Sequence, residues 1–224
     1  MLLFLVGVGP GDPGLLTLRG LEIIRRSVII GGWSSVLERF SDLLSGKVVV
    51  RISYSTEERD LSFLVDSAAN NDVSILIHGD PSVSDWQFVE KIRGLCLSKK
   101  IPMEIVPGVS SVNVALAREG LDLANTIFVS LHRSGFIDYN EILRGLALGR
   151  VVVVFPEPYP DGPQRIARFL IKAGFEKDRR VRVYEKLTFP DEVSSEYSVE
   201  GLANEHKGFS DLSVVIIYPD LGKG

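Results

Sequence analysis

The chain has one cysteine, Cys96, along with three histidines and two tryptophans in 224 residues, and these scarcities exclude several classes of protein. A single cysteine rules out an internal disulfide and a cysteine-rich metal site, and it fits a reducing cytoplasm. His78, His132 and His206 show no metal-ligand spacing, so no metal is expected. Long apolar runs are also missing. The N-terminal run Leu2–Val8 has no basic segment before it and is too short for a signal-peptide core or a membrane span. Nor is there an excess of positive charge: the net charge is −4 and the pI about 5.5. No nucleic-acid or membrane partner is therefore expected, and basic residues for any polyanionic ligand must be local to its pocket.

With 45% hydrophobic and 24% charged residues, the composition is that of a globular chain long enough for one large domain or two small ones. Short β-rich runs alternate with amphipathic segments, which argues for βα units and a largely parallel sheet. Strands are expected at Leu2–Val8, Val28–Ile30, Val48–Ile52, Val73–Ile77 and Met103–Val106, with helices at Leu18–Arg26, Ser35–Leu44, Glu57–Asn70, Ser84–Leu97 and Ser110–Glu119. Thr56 is placed to cap the third of these helices. After Gly120 the pattern changes. Strands at Thr126–Leu131, Val151–Phe155, Val181–Glu185 and Ser213–Tyr218, helices at Tyr139–Leu148 and Pro163–Ala173, and a looser region from Leu187 to Phe209 predict a second, smaller α/β domain. The expected division is 1–122 and 123–224, with a ligand cleft between the two.

Three glycine-bearing turns carry the chemistry. The first, Gly9-Pro10-Gly11-Asp12-Pro13-Gly14, follows the first strand; the second is His78-Gly79-Asp80-Pro81; the third is Pro107-Gly108-Val109-Ser110-Ser111. Each sits at a strand's carboxyl end, where open α/β sheets bind their ligands. A dinucleotide fingerprint fails, because Asp12 falls where its third glycine belongs and the second strand ends in Gly31-Gly32 instead of an acidic residue. A serine-hydrolase elbow fails as well, since Val112 replaces the second glycine of G-x-S-x-G. Each turn also has a purely structural reading: Asp12 and Asp80 as turn-stabilising aspartates, Ser110 as a helix cap.

Taken together, Gly7-Val8-Gly9-Pro10-Gly11-Asp12-Pro13-Gly14-Leu15-Leu16-Thr17, Gly79-Asp80-Pro81 and Pro107–Ser111 resemble the motifs of the tetrapyrrole (corrin/porphyrin) methylases, over the whole chain length. Val106–Val112 with Val129-Ser130-Leu131-His132-Arg133 is similar to members acting on carbon 5 of a cobalt-precorrin. There are departures: His78 stands where the family has serine, Leu-His-Gly-Arg becomes Leu131-His132-Arg133, and Gly31-Gly32-Trp33-Ser34 lacks basic residues.

The resemblance implies a two-domain α/β fold, with a mainly parallel sheet in the N-terminal domain and a smaller mixed sheet in the C-terminal one. It also implies S-adenosylmethionine as methyl donor, a corrinoid substrate, a cytoplasmic homodimer and a role in cobalamin biosynthesis. Donor contacts carry over to Pro10, Asp80, Val83, Ser110, Ser111 and Leu131. Arg133 is the candidate for a substrate carboxylate, because its planar fork binds carboxylates in two-pronged fashion, against the alternative of a solvated surface charge. Asp12 and His132 are the candidate catalytic groups, each with a structural alternative. Related proteins that also decarboxylate and methylate carbon 15 carry a further methyltransferase domain, and this sequence ends at Gly224. The expectation is one methylation here, with the other reaction on a separate polypeptide. The readings left open are another ring carbon, diphthamide synthesis, and a non-catalytic tetrapyrrole carrier.

Overall fold

Leu3–Gly7 (β1) alternates its side chains between two apolar layers, which is why the run is hydrophobic on both faces and wholly buried. Phe4 and Val6 pack with Ile23 and Ile24 of Leu18–Arg26 (α1), while Leu3 and Leu5 pack with Leu61 and Leu64 of Glu57–Ser67 (α3) and Ile92 of Trp86–Lys99 (α4). The structure, a computed structural model, describes residues 1–219. Ile29–Trp33 (β2), Val48–Ile52 (β3), Val73–Ile77 (β4) and Met103–Val106 (β5) complete a five-stranded parallel sheet in the order β3-β2-β4-β1-β5.

The expected elements are present with three local differences in this unit. Gly31-Gly32 lies inside β2 rather than after it, because α3 packs so closely that a Cβ on Gly31 would stand 2.4 Å from Leu64 Cδ1. The expected helix over 35–44 is a short α2, Ser34–Leu37, followed by a 3-10 stretch, Glu38–Leu43, with a kink at Phe40. Thr56 does not cap α3; its hydroxyl instead bonds Ser53 Oγ at 2.8 Å within the preceding turn.

The chain forms two compact units that divide between Ser110 and Ser111, ahead of Ser111–Glu119 (α5) and not at 122 as expected. The reason lies at the end of α5. The Glu119 carboxylate accepts the hydroxyls of Tyr184 and Tyr218 and pairs with Arg182 at 3.2 Å and Arg180 at 3.4 Å, all in the second unit. Burial by itself would raise the Glu119 pKa, but these hydroxyls and guanidinium groups hold it below the ordinary value.

In the second unit Thr126–Ser130 (β6) pairs in parallel with Val151–Phe155 (β7), and the sheet continues antiparallel through Ser213–Ile217 (β10), Arg180–Glu185 (β8) and Val193–Ser198 (β9). The mixed sheet agrees with the expected fold class. Asn140–Ala147 (α6), Gly162–Lys172 (α7) and Val199–Ala203 (α8) cover one face, on a core that includes Ile142, Leu170, Val154 and Val215. The region expected to be loose between 187 and 209 therefore contains β9 and α8. β9 is mostly polar and half exposed, so its hydropathy gave no strand signal.

Among the described residues no helix is long and apolar enough to cross a membrane, and no group of three or more His, Cys, Asp or Glu side chains is placed to hold a metal.

The close packing of β1, β4 and β5 at their carboxyl ends yields a test. A Cβ on Gly108 would stand 2.3 Å from Gly79 O and 2.7 Å from Gly7 C, so Gly108→Ala should cost about 3 kcal/mol. Gly94→Ala, in α4 with open space around it, should instead stabilise by about 1 kcal/mol. Urea denaturation of the two variants measures both, and an unchanged midpoint for Gly108→Ala would contradict the packing.

Candidate functional site

The three glycine turns leave β1, β4 and β5, which are adjacent in the first sheet with β1 in the middle. Backbone contacts fuse them. Val8 N–H donates to Ile77 O at 3.0 Å, and Gly9 and Gly79 exchange hydrogen bonds, N–H to O, at 3.2 and 2.9 Å. Both glycines have positive φ, 84° and 68°, which a side chain would strain. Among the described residues, its chain neighbours apart, no atom lies within 4 Å of where a Cβ on Gly79 would stand.

Asp80 ties the second turn to the third. Its Oδ1 accepts Ser82 N–H at 2.6 Å and its Oδ2 accepts Gly108 N–H at 3.0 Å. It thus shapes the loops, with lone pairs remaining on each oxygen. Asp12 Oδ1 accepts Gly14 N–H at 2.7 Å and caps the 3-10 turn Pro13–Leu15, with the carboxylate exposed. Pro10 is buried between its glycines, Val83 is half-buried with its N–H on Asp80 O at 3.0 Å, and Ser110 is 2% exposed. Ser111 opens α5 in the other unit.

In the second unit the residues after β6 do not all behave as expected. Leu131 is fully buried in the core with Val129 and Ile142, so its side chain offers no surface to a methyl donor; only its backbone could make the expected contact. Its N–H donates to Phe155 O at 2.8 Å and its carbonyl accepts Arg133 N–H at 3.0 Å, which fixes the turn that presents His132 and Arg133. His132 has an exposed surface, yet the packing around it lowers its pKa below the usual histidine value, against the opposing charge of Asp211. The shift favours the neutral imidazole, the state that accepts a proton. Arg133 is half-buried and not freely solvated: its Nη2 donates to Glu141 Oε1 at 3.2 Å, and its Nε is buried without a partner.

Two groups near the turns carried no signal in sequence. Arg39, from the 3-10 stretch after α2, reaches Gly11 O at 3.3 Å and His78 Nδ1 at 3.0 Å, placing a cation by the turns although none follows Gly31-Gly32 directly. Asp85 occupies the position before α4 but its side chain does not cap the helix, and Ser84 ahead of it has a φ of 76°. Burial pushes the Asp85 pKa up to about 6. Hydropathy could not have revealed Arg39, because its role depends on where loops from separate strands meet.

The family model described as Tetrapyrrole (Corrin/Porphyrin) Methylases matches residues 2–203. A probable cobalt-precorrin-7 C(5)-methyltransferase of Methanocaldococcus jannaschii is 28% identical over 220 residues, covering 98% of this chain and 99% of the relative. A cobalt-precorrin-4 C(11)-methyltransferase of Priestia megaterium is 26% identical and covers 90% of this chain and 81% of its own. The solved structure of a cobalamin biosynthetic enzyme, cobalt precorrin-4 methyltransferase, superposes with a TM-score of 0.80 at 23% identity, over 97% of this chain and 94% of that one.

Asp85 gives a pH test. A carboxyl whose folded pKa lies above its unfolded value near 3.9 binds more protons in the folded state between those values, so it lowers stability as pH rises through that window. With the folded value at about 6, Asp85→Asn should be more stable than the parent at pH 7.5, by on the order of 2 kcal/mol, and equal to it below pH 4. Thermal melts at the two pH values measure the difference; a gain of the same size at both would mean that Asp85 is not the group responsible.

Proposed function

This chain belongs to the tetrapyrrole (corrin/porphyrin) methylases, and from that premise we propose that it methylates carbon 5 of a cobalt-precorrin in cobalamin biosynthesis. The observation that carries the reading is the likeness to the C(5)-methyltransferase across 99% of that relative's length. The likeness to a C(11)-methyltransferase over 90% of this chain keeps a second ring carbon in play.

The donor in this family is S-adenosylmethionine, and the turns suit it. When bound, it supplies a methyl group already activated on a sulfonium, so no nucleophilic side chain is required of the protein. The chain's task is to orient and to exclude water, which for well-placed reactants contributes up to roughly 7–11 kcal/mol. The Gly9–Gly79 pair joins the first and second turns, Gly108 leaves half-buried backbone without a side chain, Asp80 fixes the spacing of the second and third turns, and Val83 offers half-buried apolar surface. Pro10, Ser110 and Ser111 complete the proposed donor contacts. In the second unit Arg133, with its unpartnered Nε, is proposed to take a substrate carboxylate. His132 and Asp12 are the proposed acceptors for a ring proton, His132 being favoured by its neutral state. The resemblance further makes a homodimer the expected assembly.

Two measurements test this. Incubation with excess donor and a panel of corrin intermediates should add one methyl, about 14 mass units, as expected when a single ring carbon is the target, and NMR should place it on carbon 5. Release of carbon dioxide, two additions, or a methyl at carbon 11 would reassign the reaction. Arg133→Ala should raise the corrinoid KM about tenfold and leave donor affinity unchanged, as for loss of a uniform binding contact; unchanged kinetics would leave Arg133 as the partner of Glu141 alone.

A further inference from the structure

Arg39 links two of the three glycine turns. Its Nη1 donates to Gly11 O of the first turn at 3.3 Å, its Nη2 meets His78 Nδ1 at the start of the second at 3.0 Å, and its Nε donates to Ser35 O at 3.2 Å. The guanidinium also stacks on its neighbour Phe40, with 5.8 Å from its carbon to the ring centroid. Arginine has five N–H donors and no acceptor. At the 3.0 Å contact, therefore, the guanidinium must donate and Nδ1 must accept. That requires a neutral imidazole with its proton on Nε2, because a proton on Nδ1 would point at the cation.

We propose that Arg39 is a positioning residue for the methyl-donor site: it clamps the first turn to the second and holds His78 as the neutral Nε2–H tautomer. The inference rests on the reading of these turns as the donor site, and it adds a residue that the glycine motifs do not contain. The clamp matters because Gly9 and Gly79 are joined through one pair of backbone hydrogen bonds and neither carries a side chain of its own to brace the turns. A rigid fork reaching both turns limits their sliding. Lysine does not reproduce the fork, since its donors sit on one atom at the end of a flexible stem whereas Nη1 and Nη2 reach separate acceptors from one rigid plane.

The first measurement needs no donor. Nitrogen-15 NMR of the wild-type protein at pH 7 should show His78 protonated on Nε2 and bare on Nδ1, and Arg39→Met should shift the Nδ1 resonance and speed amide exchange at Gly79. An imidazolium or an Nδ1–H tautomer in the wild type would overturn the proposal whatever the variants do. The second measurement is calorimetry with S-adenosylmethionine on variants whose melting confirms folding. Arg39→Met, Arg39→Lys and His78→Leu should each weaken the donor about tenfold, the loss of one charge-assisted hydrogen bond. His78→Asn, which keeps an acceptor near the Nδ1 position, should stay within about threefold. Wild-type affinity in Arg39→Met or His78→Leu would overturn the clamp. Failure of the wild type itself to bind the donor would refute the donor-site reading, and the NMR and exchange results would still decide the Arg39–His78 contact on their own.

Discussion

Three strand ends in the first unit meet backbone to backbone, and that contact constrains most of what surrounds it. The Gly79 carbonyl oxygen lies where a Cβ on Gly7 or Gly108 would clash, at 2.8 and 2.3 Å. No side chain fits between the carboxyl ends of β4, β1 and β5, so the polypeptide itself forms the floor of the proposed donor site. The sequence requirement follows directly: glycine at these positions, an aspartate to satisfy the Gly108 N–H, and prolines beside the turns to limit their freedom. A ligand approaching this floor meets peptide groups, whose positions the sheet fixes, rather than flexible side chains.

Such a floor suits a transfer reaction in which the reagent is already activated. The catalytic work reduces to placement, and placement is what a parallel sheet buried on both faces supplies. The side chains added around it divide into two kinds. Asp80 and Arg39 connect turns to one another. Asp85 and His132 are ionisable groups that burial moves toward their neutral forms, one upward and one downward. A carboxyl raised in this way works against stability at neutral pH.

Much of the fold was legible in the sequence because its strands are apolar runs bounded by glycine and its helices are amphipathic. The motif turns were legible because glycine and proline mark backbone geometry directly. What stayed hidden has identifiable physical causes. Gly31-Gly32 reads as a strand end, yet it lies within β2 because Leu64 presses on it from another element. β9 pairs through its backbone while its side chains stay polar, so it shows no apolar pattern. α5 follows the third turn in sequence, but Glu119 binds it to Arg180, Arg182 and the two tyrosines, placing it with the second unit. Leu131 matches a motif position, yet its side chain is taken up by the core. In each case a long-range contact decided what local sequence could not.

The central claim is that the three turns act as one binding floor. Titration of the isotope-labelled protein with S-adenosylmethionine, followed through backbone amide shifts, tests it most directly. The account predicts that amides of Gly9 and Gly11, of Gly79, Asp80, Ser82 and Val83, and of Gly108 to Ser111 move together with a single binding constant. Shifts confined to one turn, or centred elsewhere in the chain, would contradict it.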